Sequence, residues 1–595
     1  MLNTKDDRLN YGELLSPPEG YTLIKAVGTS YSLDLYALLA IPVSMFYSKN
    51  MEGDFQKNRY DILDAIRQSK DKVDLFCQRG KINVTDKYSN LLAFMESCVE
   101  EITPSTQNSS FHPKLWVLRF ENEDEVLYRV IVLSRNLTFD RSWDVACFVE
   151  GKPGNKKNRE SEKLCDYLNY FYLESKRNIN NSFFSDLKTI DFNIPEGFTG
   201  VEFYPILGFD NKINTFPNPL DNEVYDELLI VSPFVDITTL KKLKNSNNKI
   251  CLFSRKEELD KLPSEALSEI ETYCINSTVV DGESCIDSEE GNALMQNLHA
   301  KIFIGRKQKH TDWYMGSANC TDPAYGRNAE FLVKFQSFQA RTQLSVIKKQ
   351  LIEDKYSIFC DYEPLEEGME DAEAVTLEQA VRKIEYFLVE SDFKGELIKR
   401  EENDLYDLIV HASLKEWIGE EYTINAKLLN RKSDSKVVHL GQKNRLEYLK
   451  IGISDISCFL EFEIFSGKEK VSNILLKLDV EIPEERENVI FTNLINSKIK
   501  FFKYLQFILS PDQYEGVLEI QEESISGSNE LSVQNLFFND STPIYEYLML
   551  AASRSPKKLR EIQEIVDRLK KIDTDSEIMR DFEPIWNVFK EFAHA

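Results

Sequence analysis

Two stretches of this chain carry the same residues in the same order, and such a repeat constrains the fold more than any other feature. The first, "FHPKLWVLRF" from Phe111, sets His112 and Lys114 two positions apart ahead of an apolar run. The second, "LHAKIFIGRK" from Leu298, does the same with His299 and Lys301. In an extended strand, residues i and i+2 project from one face, so each stretch presents an imidazole beside an ammonium group. Alone, either is equally explained by a polar strand end whose lysine reaches to water. The correspondence continues downstream, however. "VIVLSRNLTFDRSWD" supplies Ser134, Asn136 and Asp144, and "WYMGSANCTDPAYGRNAE" supplies Ser317, Asn319 and Glu330. Each copy reads His-x-Lys, a turn, a second strand ending in Ser-x-Asn, then an acidic residue. That order predicts two half-sites on one repeated unit, able to face each other.

At 595 residues the chain is too long for one core and should hold three or four units of ordinary size. Hydrophobic content of 42% with 29% charged residues is that of a soluble globular protein. A formal net charge of −27 opposes indiscriminate coating of nucleic acid or an anionic membrane, but leaves room for a locally basic cleft. The opening "MLNTKDDRLNYGELLSPPEG" lacks the basic-then-apolar layout of a signal peptide. The longest apolar run, "YALLAIPVSMFY", is short, contains a proline and reads as core, so no membrane partner is expected. Ten cysteines are scattered without a Cys-x-x-Cys pair, which points away from a zinc site or disulfide framework and towards a reducing cytoplasm.

Strands alternate with helical segments through residue 360, which predicts an α/β unit in each of residues 1–190 and 191–360. "LCDYLNYFYLESKR" has helical spacing, with Leu164, Leu168 and Phe171 on one stripe. Residues 361–415 read as an acidic linker or helical segment, and 416–485 as a β-rich accessory domain. Residues 486–595 read as a C-terminal helical region. "PDQYEGVLEIQ" approaches a metal-nuclease pattern, but Gln521 stands where a lysine is needed. His411, His439 and His594 lack partners at ligand spacing.

Two imidazoles, two ammonium groups and two amides in one pocket suit cleavage of a phosphodiester. One neutral imidazole can attack phosphorus while the other, protonated, gives its proton to the departing oxygen. Histidine serves both tasks because its pKa lies near neutrality. Lys114, Lys301, Asn136 and Asn319 can hold the non-bridging oxygens, whose charge builds in the transition state. Asp144 or Glu330 behind each histidine would fix its tautomer. No metal or cofactor is called for.

These motifs resemble those of the phospholipase D superfamily, whose members pair His-x-Lys motifs on a duplicated α/β/α sandwich and react through a phosphohistidine. The resemblance runs from residue 20 to residue 345, and the second copy, ending in Ser317, Asn319 and Glu330, is the closer match. The first departs by having "SRN" where Gly-Ser-x-Asn is usual. Arg119 and Arg306 stand where lipid-cleaving members carry an aspartate. That likens the chain to the branch holding tyrosyl-DNA phosphodiesterase and certain bacterial DNA-cleaving enzymes. The resemblance implies that His112 is the nucleophile and His299 the general acid, a polarity that the near-equivalent copies leave open by themselves.

A nuclease is therefore the leading expectation, acting on DNA in preference to RNA. Ser134, Arg135 and Arg255, together with Arg141, Arg306 and Lys307, are candidates to line a phosphate groove. Trp313, with Trp143, Tyr314 and Tyr325, could stack bases. Delivery by a protein partner bound through the C-terminal region, as in a bacterial defence or restriction system, is expected by analogy. A lipid phosphodiesterase is one alternative, and a catalytically silent scaffold is the other. Intact His112, Lys114, His299 and Lys301 speak against the scaffold.

Overall fold

The computed structural model describes residues 9–46, 65–69, 71–84, 89–104, 106, 109–138, 142–175, 177, 179, 181–208, 217–276, 297–353, 358–365, 372–401, 405–415 and 422–494. Beyond these it describes 501, 505, 509, 548, 549, 551, 556–572, 582, 583 and 586–590. The strands up to residue 192 are β1 (Thr22–Ser30), β2 (Leu33–Asp34), β3 (Val73–Gln78), β4 (Ile82–Asn83), β5 (Val99–Ile102), β6 (Leu115–Glu121), β7 (Val126–Leu133), β8 (Ser142–Trp143), β9 (Ala146–Pro153) and β10 (Ile190–Phe192). Seven of them form a sheet in the order β10-β9-β7-β6-β1-β3-β5. Its strands read as apolar runs because both faces are covered. Trp116, Leu118 and Phe120 of β6 enter one core, while Leu115 and Val117 enter another.

The next strands are β11 (Gly200–Leu207), β12 (Glu227–Val231), β13 (Ile250–Ser254), β14 (Ile270–Ile275), β15 (Asn297–Leu298), β16 (Ile302–Lys307), β17 (His310–Gly316), β18 (Ala329–Ser337) and β19 (Phe359–Asp361). They form a second sheet in the order β11-β18-β17-β16-β12-β13-β14-β19, with β15 paired instead to β8. Its centre matches the first sheet strand for strand. In one, β1 runs parallel to β3 and antiparallel to β6; in the other, β12 runs parallel to β13 and antiparallel to β16. The sheets share a core. Val27, Phe76 and Val117 from the first meet Leu229, Ile304 and Phe331 from the second, together with Leu168 and Phe171 of the helix Arg159–Ser175.

The remaining strands are β20 (Lys394–Lys399), β21 (Leu405–Ser413), β22 (Tyr422–Leu428), β23 (Lys436–Val438), β24 (Lys443–Gly452), β25 (Phe459–Ser466) and β26 (Glu469–Lys477). Two sheets, β20-β21-β24 and β2-β4-β26-β25-β22-β23, enclose a core of their own. The β-rich part thus begins earlier than composition implies, because β20 and β21 lie inside the segment read as linker and helix. The alternating burial of Leu405–Ser413 is the physical signal, hidden beneath acidic neighbours. Nor is this part appended by a tether. Its larger sheet takes in β2 and β4, and Leu475 and Phe459 share a core with Leu33, Ile82 and the apolar faces of helices Glu485–Leu494 and Pro556–Ile572. Arg486 makes a buried 2.7 Å ion pair with Glu96, whose other oxygen accepts from Ser457. Most of 486–595, the "PDQYEGVLEIQ" segment included, lies outside the described residues. Among the described residues no helix is long and apolar enough to cross a membrane.

Candidate active site

Neither His-x-Lys motif sits within its strand, as alternation alone would have it. The strands begin just after each lysine, at Leu115 and Ile302, and each motif occupies the backbone immediately before them. The reason is that this backbone pairs with the other copy. Phe111 bridges Ala329, and the His112 N–H donates to the Ala329 carbonyl at 2.9 Å. Likewise β15 pairs with β8, and the N–H groups of His299 and Ala300 donate to the Trp143 carbonyl at 3.0 and 2.9 Å. Each lysine then folds back on its own histidine: Lys114 Nζ donates to the His112 carbonyl at 3.0 Å, Lys301 Nζ to that of His299 at 2.7 Å.

The carboxylates cross as well. His112 Nδ1 lies 2.9 Å from Glu330, and His299 Nδ1 lies 3.3 Å from Asp144, so each copy's acid serves the other copy's imidazole. A ring that gives its Nδ1 proton to a carboxylate turns a free Nε2 outward. Each acid is held by the serine of its own Ser-x-N turn. Ser317 Oγ donates to Glu330 and accepts from the Phe331 N–H at 3.0 Å. Ser134 Oγ donates to Asp144 at 3.2 Å and accepts from the Val145 N–H at 2.9 Å. Asn328 ties the crossing together, donating to Glu330 at 3.1 Å while accepting from the Ser110 N–H at 3.0 Å.

Electrostatically, burial disfavours the charged form of every lysine, histidine and acid at the centre. Lys114 and Lys301 are both 0% exposed. Burial pulls Lys114 down to about 7, and burial with the nearby Lys114 charge holds Lys301 well below the usual lysine range. Burial also lowers His112, against the upward pull of Glu330. It takes His299 down to about 3, with Lys301 adding to the effect. For both acids burial opposes the charge, yet each stays below the ordinary carboxylate range. His112 and Lys114 outweigh burial at Glu330, as does the His299 contact at Asp144. Two lysines and two histidines in dry surroundings, with two acids already engaged, make a place for an anion. Among the described residues no group of three or more His, Cys, Asp or Glu side chains is placed to hold a metal ion.

The amide oxygens of Asn136 and Asn319 are buried without a partner. Their loops are anchored alike: the N–H after each asparagine, at Leu137 and Cys320, donates at 2.9 Å to the hydroxyl of Ser30 or Ser232 at the end of β1 or β12. In the second copy Gly316 lets this turn close. Its φ is +153°, and a Cβ there would sit 2.1 Å from the Phe331 carbonyl oxygen. Gly316→Ala is therefore expected to cost about 2–4 kcal/mol of stability, read as a lowered denaturation midpoint. An unchanged midpoint would show that the turn does not need the missing Cβ.

Placement alters several expectations. Ser134, expected to touch substrate, is fully buried, as is Ser317, and both hydroxyls are spent positioning an acid. Trp313 is core, not a stacking platform: it is 2% exposed, and its indole N–H donates to Thr342. Tyr314 and Tyr325 are buried too, and Trp143 packs edge-on against Phe359. Arg306 and Lys307 pair with Glu227 and Glu223 at the far end of β16. Arg255 gives two hydrogen bonds to the Leu298 carbonyl, at 2.8 and 2.6 Å, and so braces the backbone entering His299. Arg135 stays at the site, a third exposed, one nitrogen 3.9 Å from Asp144 and another donating to Thr138. Arg141 lies outside the described residues. Sequence reasoning missed Tyr31, whose ring centre lies 5.2 Å from that of His112, and Phe234, exposed beneath the Arg255 guanidinium at 4.8 Å. It also missed Asn328, Ser30 and Ser232. The strand ends "GTSYS" and "IVSPF" would have revealed the two serines had the repeat been extended to them.

No family model matches the chain, and no curated protein matches it. Among similar solved structures is a mutant of yeast tyrosyl-DNA phosphodiesterase, 14% identical, spanning 56% of this chain and 86% of that one at a TM-score of 0.35. Another is the polyphosphate kinase of Porphyromonas gingivalis, 10% identical, spanning 63% of this chain and 50% of that one at 0.31. A third is the phosphatidylserine synthase of Haemophilus influenzae, 12% identical, spanning 63% and 91% at 0.30. At these values the likenesses carry no weight beside the residues themselves.

Proposed function

We propose that this chain is a metal-independent phosphodiesterase of phospholipase D type, built from two like halves over 1–190 and 191–360, that cleaves DNA through a phosphohistidine. The observation that carries the proposal is the reciprocal crossing of acids, Glu330 to His112 and Asp144 to His299, around two buried lysines. His112, its Nδ1–H held in a hydrogen bond to Glu330, attacks phosphorus through Nε2. A P–N bond forms, the P–O bond to the departing strand breaks, and that oxygen takes a proton from His299. Water then attacks the phosphohistidine, His299 accepts its proton, and the P–N bond breaks. Lys114, Lys301 and the amides of Asn136 and Asn319 hold the non-bridging oxygens. In the empty site His299 is neutral at pH 7, and the bound phosphate supplies the negative charge that lets it hold a proton.

Arg119 and Arg306, where lipid-cleaving relatives carry aspartates, favour nucleic acid over lipid. So do Tyr31 and Phe234 beside the site, each able to take a base. The net charge of −27 suits delivery by a partner bound through the C-terminal part, with a bacterial defence or restriction role offered as analogy.

The test is incubation in EDTA with single-stranded DNA, duplex DNA, RNA and phosphatidylcholine. Chelator-resistant scission of DNA that His112→Ala removes is the expected result. Choline release without scission would replace the nuclease with a lipid enzyme, and inertness towards every substrate would favour a scaffold.

A further inference from the structure

The second sheet ends in a pair of cysteines outside the site. On edge strand β19, Cys360 stands directly opposite Cys274 of β14, between the pairs Tyr273–Asp361 and Ile275–Phe359. The register is held on both sides: the Asn276 N–H donates to Ile358 at 2.8 Å, and the Tyr362 N–H to Thr272 at 3.1 Å. The two sulfurs lie 3.7 Å apart. Directly opposed residues of an antiparallel pair have Cα atoms about 4.5–5.5 Å apart. That falls inside the ~4.4–6.8 Å span of a disulfide, so side-chain rotation alone brings the sulfurs to bonding distance. Cys360 is exposed and Cys274 buried, which gives the pair one sulfur open to a reagent and one that only its neighbour can reach.

We propose that Cys274 and Cys360 form a reversible disulfide that fastens β19 to the sheet. The oxidant is a small-molecule disulfide such as oxidised glutathione. Cys360, as thiolate, attacks one sulfur of it, forming a mixed disulfide and releasing one glutathione thiolate. Cys274 then loses its proton and displaces the second glutathione, closing the Cys274–Cys360 bond; two electrons pass from the protein and two thiols leave. Burial pushes the Cys274 thiol up to about 12, so Cys360 is the sulfur that attacks first. The bond would secure a short strand with a long reach. Phe359 of β19 packs on Trp143, whose carbonyl holds the backbone of His299, and Tyr362 beyond it donates to Asp260 at 2.8 Å.

The full chain is titrated with oxidised and reduced glutathione, its free thiols are counted after denaturation, and its peptides are mapped. The expected result is the loss of two thiols, a peptide joining Cys274 to Cys360, and a rise in Tm of about 3 °C or more that dithiothreitol reverses. Cys360→Ser and Cys274→Ala should each abolish both changes, while Cys147→Ser should keep them. Cys360 recovered only as free thiol or as its glutathione adduct overturns the proposal, as does a linked peptide without a rise in Tm.

Discussion

His299→Asn is expected to stop the reaction halfway, with the cleaved phosphoryl group left on His112. With an ordinary alkoxide leaving group the first step also needs the lost proton, so overall turnover should fall by at least about 10³-fold. A nucleoside p-nitrophenyl phosphate separates the steps, because nitrophenolate departs unprotonated. On that substrate the variant should release one nitrophenolate per chain in a burst and then stall, since no base activates the water. His112→Ala should show no burst at all. An acid-labile, alkali-stable adduct mapped to His112 supports the proposed polarity, whereas an adduct on His299 would invert it. The crossed acids give an independent check. Glu330→Gln should depress attack by His112 by about 10²-fold, yet cost almost nothing further once His112 is already Ala. Strong non-additivity between Glu330 and His299 instead would mean that each acid serves its own copy.

What the sequence disclosed follows the range of the interactions involved. The repeat was legible because it is written twice in side chains whose chemistry is scarce: among six histidines, two head corresponding strands. The pairing of Glu330 with His112 was not legible, since it depends on Phe111 bridging Ala329 across the molecule, a long-range contact with no local signature. For the same reason the His-x-Lys motifs were placed in their strands rather than just before them. Trp313 and Ser134 misled because residue type implies exposure only on average. A tryptophan on a central strand packs, and a serine after a strand here holds an acid. The region after residue 361 was legible in composition but not in docking. Nothing in β2 or β4, two residues each, announces that they extend a sheet made mostly from residues 422–477.

Lys114→Met and Lys301→Met should each make the protein more stable and leave it inactive. Both side chains are fully buried, and burial disfavours their charge. In the folded protein Lys114 titrates at about 7, against an ordinary value of 10.5. Between those pH values the unfolded chain binds the extra proton and the folded one does not, so stability rises with pH across the window. Below about pH 7 both forms are protonated and the full cost is present, on the order of 3–5 kcal/mol for such a shift. Burial lowers Lys301 as well, so its contribution to stability rises with pH in the same sense. The advantage of Lys114→Met over the parent should thus be largest near pH 6 and shrink towards pH 10, measured by denaturant unfolding at each pH. A methionine variant less stable than the parent at pH 6, or an advantage that does not change with pH, would show that Lys114 is already satisfied within the fold. Added phosphate or tungstate should close the gap from the other side, stabilising the parent and not the variants, because an anion in the site compensates the two charges. On the proposed reading these buried lysines are kept for an anionic ligand, and loss of turnover in the same variants would tie that ligand to the reaction.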